Sequence, residues 1–250
     1  RQFHCVIDNN SEVKCWGEDL FGETSPPDGT FTAVDVGFYN GCAITTTGTV
    51  TCWGSDADGQ SSPPEDTFST ISVGEDHACG ITTAGSVLCW GSDEDGQSSP
   101  PDLPFETISA GGHSCGVTTS GQVACWGADN LGQASPPEGT FKTVSAGRDH
   151  SCGIREDNTV ACWGQDRYGQ STPPEGTFVR VNLGTYHSCG VAPDGTAECW
   201  GWGHSGQASP PEIPFESVAG GHHHSCGLTT TGTVECWGDD AFGQSTPPEL

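Results

Sequence analysis

Residues 141–177 read FKTVSAGRDHSCGIREDNTVACWGQDRYGQSTPPEGT, and this stretch decides the fold. Phe141 to Val144 is a short apolar run, read as strand one. A loop follows at Gly147-Arg148-Asp149. His150 to Arg155 is strand two, Glu156-Asp157-Asn158 is a turn, and Thr159 to Trp163 is strand three. Short apolar runs punctuated every few residues by turn formers indicate strands rather than helices. Gly164 to Gly169 is a second loop, and Gln170 to Pro174 reads as a weaker fourth strand or extended edge. The double Pro removes two ladder donors, so it belongs on an outer edge, where it also blocks edge-to-edge pairing.

Cys152 and Cys162 test the hairpin. Cysteines ten apart face each other directly only across a loop with an odd number of residues. A three-residue loop does this with a type I turn followed by a left-handed residue. Asn158 fills that third position here. Gly48, Gly85, Gly121, Gly195 and Gly232 fill it elsewhere, as positive φ requires; Ser11 fits least well. Each pair therefore reads as a disulfide within its own hairpin: Cys5–Cys15, Cys42–Cys52, Cys79–Cys89, Cys115–Cys125, Cys152–Cys162, Cys189–Cys199 and Cys226–Cys236. Each short closed loop contributes about 2–3 kcal/mol on the chain-entropy account. Zinc favours C-x2–4-C knuckles, and none occurs, so no metal site is assigned to the cysteines. Reduced core cysteines of a cytosolic protein are the alternative. The even count at fixed spacing favours an oxidising compartment: secreted, periplasmic or cell-surface.

The first cysteines step by 37, 37, 36, 37, 37 and 37, every second cysteine opens Cys-Trp-Gly, and every unit ends in Pro-Pro. This is a sevenfold tandem repeat. It corrects the first impression from composition. Leu, Ile, Val and Phe make up only 16% of the 250 residues, Gly and Pro number 37 and 17, and the net charge is −26, values that alone suggest disorder. Composition also excludes a membrane span, because no apolar run reaches the required length, and a cationic surface for nucleic acid. The reading is an all-β, seven-bladed β-propeller over residues 1–250. Its units are 1–30 (partial), 31–67, 68–104, 105–140, 141–177, 178–214 and 215–250, each with four strands and one hairpin disulfide.

The string Val-x-Cys-Trp-Gly-x-Asp-x-x-Gly-Gln, with Gly-x-x-His-Ser upstream, resembles the regulator of chromosome condensation repeat. The match falls at His150-Ser151, Trp163-Gly164, Asp166 and Gly169-Gln170, and similarly along the chain. The short unit and Pro-containing tail most resemble the secreted bacterial β-lactamase inhibitor of propeller type. Asp where the family usually has Asn, and the added cysteine pairs, are departures. The resemblance implies a propeller. It carries no activity: nothing here matches a loop for exchange on a small GTPase.

Seven copies permit an internal comparison. The near-invariant Trp, Gln and His positions read as architecture: Trp163 and its equivalents as inter-blade area, Gln60 and its equivalents as backbone hydrogen-bonders between blades, and His77, His113, His150, His187 and His224 as neutral structural hydrogen-bonders. Two loops vary, one after strand one and one after strand three, and strand parity puts both on one face. That face is the expected binding surface for a protein or glycan, through Phe21, Phe38, Tyr39, Leu131, Arg148, Tyr168, Tyr186, Trp202 and Phe242. In the inhibitor-type relative, loops of this kind grip the partner. An inhibitor is therefore one form of the expectation, and a structural or adhesive subunit of a fibre or surface layer is the alternative.

Asp56, Asp58, Glu75, Asp76, Asp93, Glu94 and Asp95 form an acidic sector in neighbouring blades. It lacks the distal bidentate Glu of a calcium loop, so attraction of a basic partner is preferred to Ca²⁺, and no cofactor is assigned. His204, His222, His223 and His224 crowd blades six and seven without a recognised metal spacing. No catalytic motif is present, so an enzyme is not expected. A complete seventh unit of this ring is short by about eight residues of pattern P-F-x-x-V-x-x-G. Trimming, further repeats, or a strand donated by another chain in self-assembly would each account for that.

Overall fold

The computed structural model describes residues 2–248. The expectations that concern Arg1, Glu249 and Leu250 lie outside them. Twenty strands form seven antiparallel sheets, and no helix occurs among the described residues. Blade one has two strands, Phe3–Ile7 and Val13–Gly17. The other six have an inner, a middle and an outer strand. Blade two comprises Phe31–Val36, Asn40–Thr45 and Val50–Gly54; blade three, Phe68–Val73, His77–Thr82 and Val87–Gly91; blade four, Phe105–Ala110, His113–Thr118 and Val123–Gly127. Blade five comprises Phe141–Ala146, His150–Arg155 and Val160–Gly164; blade six, Arg180–Leu183, His187–Val191 and Ala197–Gly201; blade seven, Phe215–Gly220, His224–Thr229 and Val234–Gly238.

The expected fourth strand does not form. The chain from Gln170 to Pro174 is turn and irregular backbone, as are its equivalents. Two consecutive prolines offer no N–H to a ladder, so this segment cannot pair. The hairpins do close on three-residue loops. Gly48 N–H donates to the Thr45 carbonyl at 2.9 Å and Thr45 N–H to the Thr49 carbonyl at 2.8 Å. Ser11 and Asn158 adopt the left-handed conformation with φ of 64° and 68°, so even Ser11 accepts the strain of that position. All seven disulfides form, each between directly opposed residues with Cα atoms 4.0–4.1 Å apart.

The core lies between blades rather than inside any one of them. Cys115 and Val117 of blade four pack on Phe141, Val144, Ala146 and Trp163 of blade five. Cys42 and Ile44 of blade two pack on Phe68, Ile71, Val73 and Trp90 of blade three. A chain with few large aliphatics thus fills four such layers with one Phe, one Trp and a buried half-cystine each. Each fully buried aromatic adds roughly 1.5–3 kcal/mol.

A polar belt runs beside these layers. The main-chain carbonyl of Gln97 accepts both the Trp126 indole N–H at 2.9 Å and the Ser114 hydroxyl at 3.1 Å, both from the next blade. Gln133, Gln170 and Gln207 repeat the arrangement. It is the backbone of each Gln, and not its side chain, that joins the blades. With its proton committed to that carbonyl, Ser114 must accept from His77 Nε2–H at 2.7 Å, which fixes the tautomer. His113 to Ser151, His150 to Ser188 and His187 to Ser225 continue the ladder. Burial holds these histidines neutral, lowering His77, His113 and His187 to about 4 and His150 to about 3.

Glycine closes the ring around the axis. A Cβ on Gly74 would meet the Gly111 carbonyl at 2.5 Å, and one on Gly111 would strike the Gly147 carbonyl. The axial opening they leave holds about 20 Å³.

Candidate functional site

The invariant residues that build the ring also aim the variable ones. In the loop after each third strand, the Gln side chain accepts the N–H of the residue that carries the diverse side chain. Gln170 Oε1 takes Tyr168 N–H and Gln133 Oε1 takes Leu131 N–H, both at 2.8 Å, and Gln244 Oε1 takes Phe242 N–H at 2.7 Å. Glu23 does the same for Phe21 at 2.6 Å. The Asp of the motif braces the far side of the loop: Asp166 accepts Ser171 N–H at 2.8 Å and the Thr172 hydroxyl at 2.7 Å. Asp56 and Asp93 make the same pairs of bonds, so these two carboxylates of the acidic sector are loop braces. The result is a rigid rim of variable side chains.

The other variable loop follows the axial glycines. Its first position forms a ring at the axis mouth: Phe38, Glu75, Arg148, Thr185 and His222. Its second position holds Tyr39, Asp76, Asp149, Tyr186 and His223, of which Tyr39, Tyr186 and His223 meet the rim. Phe21 contacts Tyr39 with ring centroids 5.7 Å apart, Tyr168 contacts Tyr186 at 5.9 Å, and Trp202 contacts His223 at 4.7 Å. These contacts join the two variable loops on one face, each time across a blade boundary.

The rings chain together. Phe21, Tyr39 and Phe38 connect through His222, 6.2 Å from Phe38, to Tyr186 at 5.6 Å and on to Trp202 at 5.7 Å. A ridge of aromatic side chains thus runs along the face from blades one and two, through His222 of blade seven, to blades six and five. Phe21, Tyr39 and Tyr168 are exposed; Phe38, Tyr186 and Trp202 are half-buried beneath them. Phe242, exposed on blade seven, has no ring neighbour among the described residues, and Leu131, exposed on blade four, stands outside the ridge. His222 is the residue the sequence reading missed as part of this surface. Its signal was its repeat position, equivalent to Phe38. Burial lowers its pKa to about 4, with His223, 3.8 Å away, adding to the effect.

The remaining sector is acidic. Arg148 Nε lies 3.6 Å from Glu75 and 3.6 Å from Asp149, a small ion cluster at the axis mouth. Burial raises the pKa of Glu75, Asp76 and Asp149, and for Asp76 the neighbouring Asp58 and Glu94 add repulsion. These carboxylates do not gather into a ligand cage. Among the described residues the one group at ligand spacing is His4, His224 and Cys226, buried between blades seven and one, and its sulfur is already in a disulfide.

Trp202 is anomalous within its loop. Gln97 Nε2 donates to Ser92 at 3.1 Å, Gln170 to Gln165 at 3.0 Å and Gln244 to Asp239 at 2.9 Å. Trp202 stands at that acceptor position in blade six, offers no oxygen, and leaves buried Gln207 Nε2 without a partner. The next residues are Gly203 and His204, so the bracing Asp is missing too, and the indole stacks on His204 at 6.2 Å.

The fold is an all-β, seven-bladed propeller, and four of its units match one known repeat. The regulator of chromosome condensation (RCC1) repeat matches at residues 31–60, 68–97, 141–170 and 215–244. Among solved structures, the chain is similar to the CRINKLY WD40 ectodomain of the Arabidopsis thaliana receptor kinase ACR4, with 28% identity, TM-score 0.83, and coverage of 99% of this chain and 94% of that one. It is also similar to the ectodomain of the Physcomitrella patens receptor kinase CR4, with 26% identity, TM-score 0.82, and coverage of 94% and 70%. Prp20p from Saccharomyces cerevisiae shares the fold at 15% identity and TM-score 0.83, with 98% and 85% covered. No curated protein sequence matches. Seven disulfides and the two ectodomains point to a secreted or surface setting.

Proposed function

We propose that this propeller is a non-enzymatic extracellular binding module that grips a protein through the aromatic ridge of its loop face. The ridge is the observation that carries the reading. Exposed Phe21, Tyr39 and Tyr168 stand on a half-buried aromatic base held by braced loops, and large, preorganised aromatics of this kind act as interface hot spots. The adjacent acidic sector favours a partner with basic residues at its edge and speeds encounter. The two receptor ectodomains support an extracellular role. An axial opening of about 20 Å³ leaves little room for a substrate. Where the partner is an enzyme, the same grip makes an inhibitor.

Trp202 provides the sharpest test, because a residue kept at a cost to its own loop is kept for something else. Trp202→Gln restores the acceptor that Gln165 supplies in blade five. The protein should gain about 1 kcal/mol in urea denaturation and lose partner affinity by tenfold or more. The partner is first captured by cross-linking in native extracellular material. Its affinity is then compared for the natural protein, Trp202→Gln, and the surface triple variant Phe21→Ser/Tyr39→Ser/Tyr168→Ser. Undiminished capture by both variants would reject the face. Retention on a glycan array with no protein captured would replace the protein partner by a carbohydrate.

A further inference from the structure

The hairpin turns lie on the face opposite the variable loops, and one of the seven departs from the others. Each three-residue turn ends on a left-handed residue. It is Gly48, Gly85, Gly121, Gly195 or Gly232 in five blades, and Asn158 in a sixth. Blade one has Ser11, at φ 64°. Gly adopts this conformation without steric cost and Asn at a reduced one, whereas Ser has neither advantage. The fold gives Ser11 nothing in return. Its carbonyl accepts Phe31 N–H at 2.8 Å, as the Gly48 carbonyl accepts Phe68 N–H at 2.8 Å. Its hydroxyl has no hydrogen-bond partner among the described residues. A Cβ at the equivalent Gly85 or Gly232 would meet nothing within 4 Å, so a side chain at this position opens to solvent.

What Ser11 does supply is a hydroxyl two residues after Asn9. Asn9-Asn10-Ser11 has the Asn-x-Ser/Thr pattern of an N-glycosylation acceptor. The pattern occurs once. Asn10, Asn40, Asn130, Asn158 and Asn182 are followed two residues later by Glu12, Cys42, Gly132, Val160 and Gly184. In the other six turns the left-handed residue is Gly or Asn, which bars the pattern whatever residue opens the turn. Asn9 itself is exposed at the tip of its hairpin. The Asp8 carboxylate fixes the turn around it, accepting Asn10 N–H at 2.8 Å and Glu12 N–H at 2.9 Å. The Asn9 side-chain amide takes no part in these bonds, so a substituent on it disturbs none of them.

We propose that Asn9 carries an N-linked glycan, and that Ser11 is kept in a strained conformation because it completes the acceptor. The donor is an oligosaccharide carried on a polyprenyl diphosphate, and the catalyst is a glycosyltransferase of the secretory pathway. A bond forms between Asn9 Nδ2 and C1 of the first sugar. The bond from C1 to the diphosphate oxygen breaks, the diphosphate leaves with the electron pair, and one amide proton passes to a base of the transferase. On the folded protein the glycan stands on the hairpin face and leaves the aromatic ridge open. The assignment rests on the extracellular setting, not on what the ridge binds.

The test starts from protein purified from its natural source. Peptide N-glycosidase in heavy-oxygen water converts a glycosylated Asn to a labelled carboxylate, which tandem mass spectrometry locates. Thiol alkylation without reductant is run on the same sample. Label confined to position 9, with all 14 cysteines protected as disulfides, is the expected result. An unlabelled Asn9 in protein with closed disulfides would overturn the glycan and leave the extracellular setting standing; an unlabelled Asn9 with free cysteines would overturn both. Variants made in the same source separate glycan from fold. Asn9→Gln and Ser11→Gly should lose the glycan, and Ser11→Thr should keep it. After enzymatic removal of the glycan from every sample, Ser11→Gly should raise the thermal midpoint by about 2–4 °C over the natural chain, because it relieves the left-handed strain. Asn9→Gln should leave the midpoint unchanged. A midpoint lowered by Ser11→Gly would show that Ser11 serves the fold, and would overturn the reason given for its retention.

Discussion

Blades two and three meet across a filled layer; blades seven and one meet across a groove. In the first interface Ile44 and Cys42 are sealed under Phe68, Ile71 and Trp90. In the second, Leu228 is open and the contact narrows to one polar seam, where Trp16 donates to the Gln244 carbonyl at 3.1 Å and His4 packs edge-on against His224 at 4.5 Å. Among the described residues the two layers differ by one inner strand. The hydrogen bond that joins blades survives at the seam; the apolar layer does not. Among the described residues, the packed apolar layers lie where an inner strand is present.

Acid tests the His–Ser ladder that joins blades three to seven, and the largest effect is expected there. His77, His113, His150 and His187 are neutral in the fold and held near 3 to 4 by burial, so the unfolded chain binds protons first. Stability is full above pH 6.5 and falls as pH drops toward 4, by several kcal/mol in sum. Glu75, Asp76 and Asp149, raised in the fold, act in the opposite sense and offset only part of this. Thermal unfolding midpoints from pH 8 to pH 4 check the slope. A flat profile would mean that the ladder is not buried in solution.

Matched truncations measure the contrast directly. Ile44→Ala removes a sealed side chain and should cost about 2–4 kcal/mol in urea denaturation; Leu228→Ala should cost under about 1 kcal/mol. Equal costs would mean that the groove is filled in solution. The smallest expected effect sharpens the comparison. In blades four to seven a Ser stands where blade one has His4. His4→Ser should let Ser accept from His224 and donate to the Gln244 carbonyl, adding about 1 kcal/mol. It should also slow hydrogen exchange at residues 224–229. Destabilisation by this change would show that the seam has its own geometry rather than a weakened copy of the others.

Much of this was legible in the sequence because each unit repeats its own constraints. The ten-residue cysteine spacing, with Gly or Asn at the third loop position, dictates the hairpin and its disulfide. Strand parity put Tyr168 and Tyr186 on one face. The fourth strand was over-read: Pro173-Pro174 was recognised as unable to donate, yet the segment was still given strand character. Gln170 is expected to hydrogen-bond between blades, and it does so through its carbonyl while its side chain pins Tyr168. Spacing reveals that a residue recurs, but not which of its atoms faces which neighbour.

The sequence by itself determined the all-β repeat, the seven hairpins, the disulfides and the face on which variation falls, because those depend on local periodicity and turn chemistry. Only the tertiary structure decided that His222 bridges two aromatic clusters and that Trp202 strands Gln207. Each depends on side chains from different units meeting across a blade boundary, at distances that no spacing along the chain encodes.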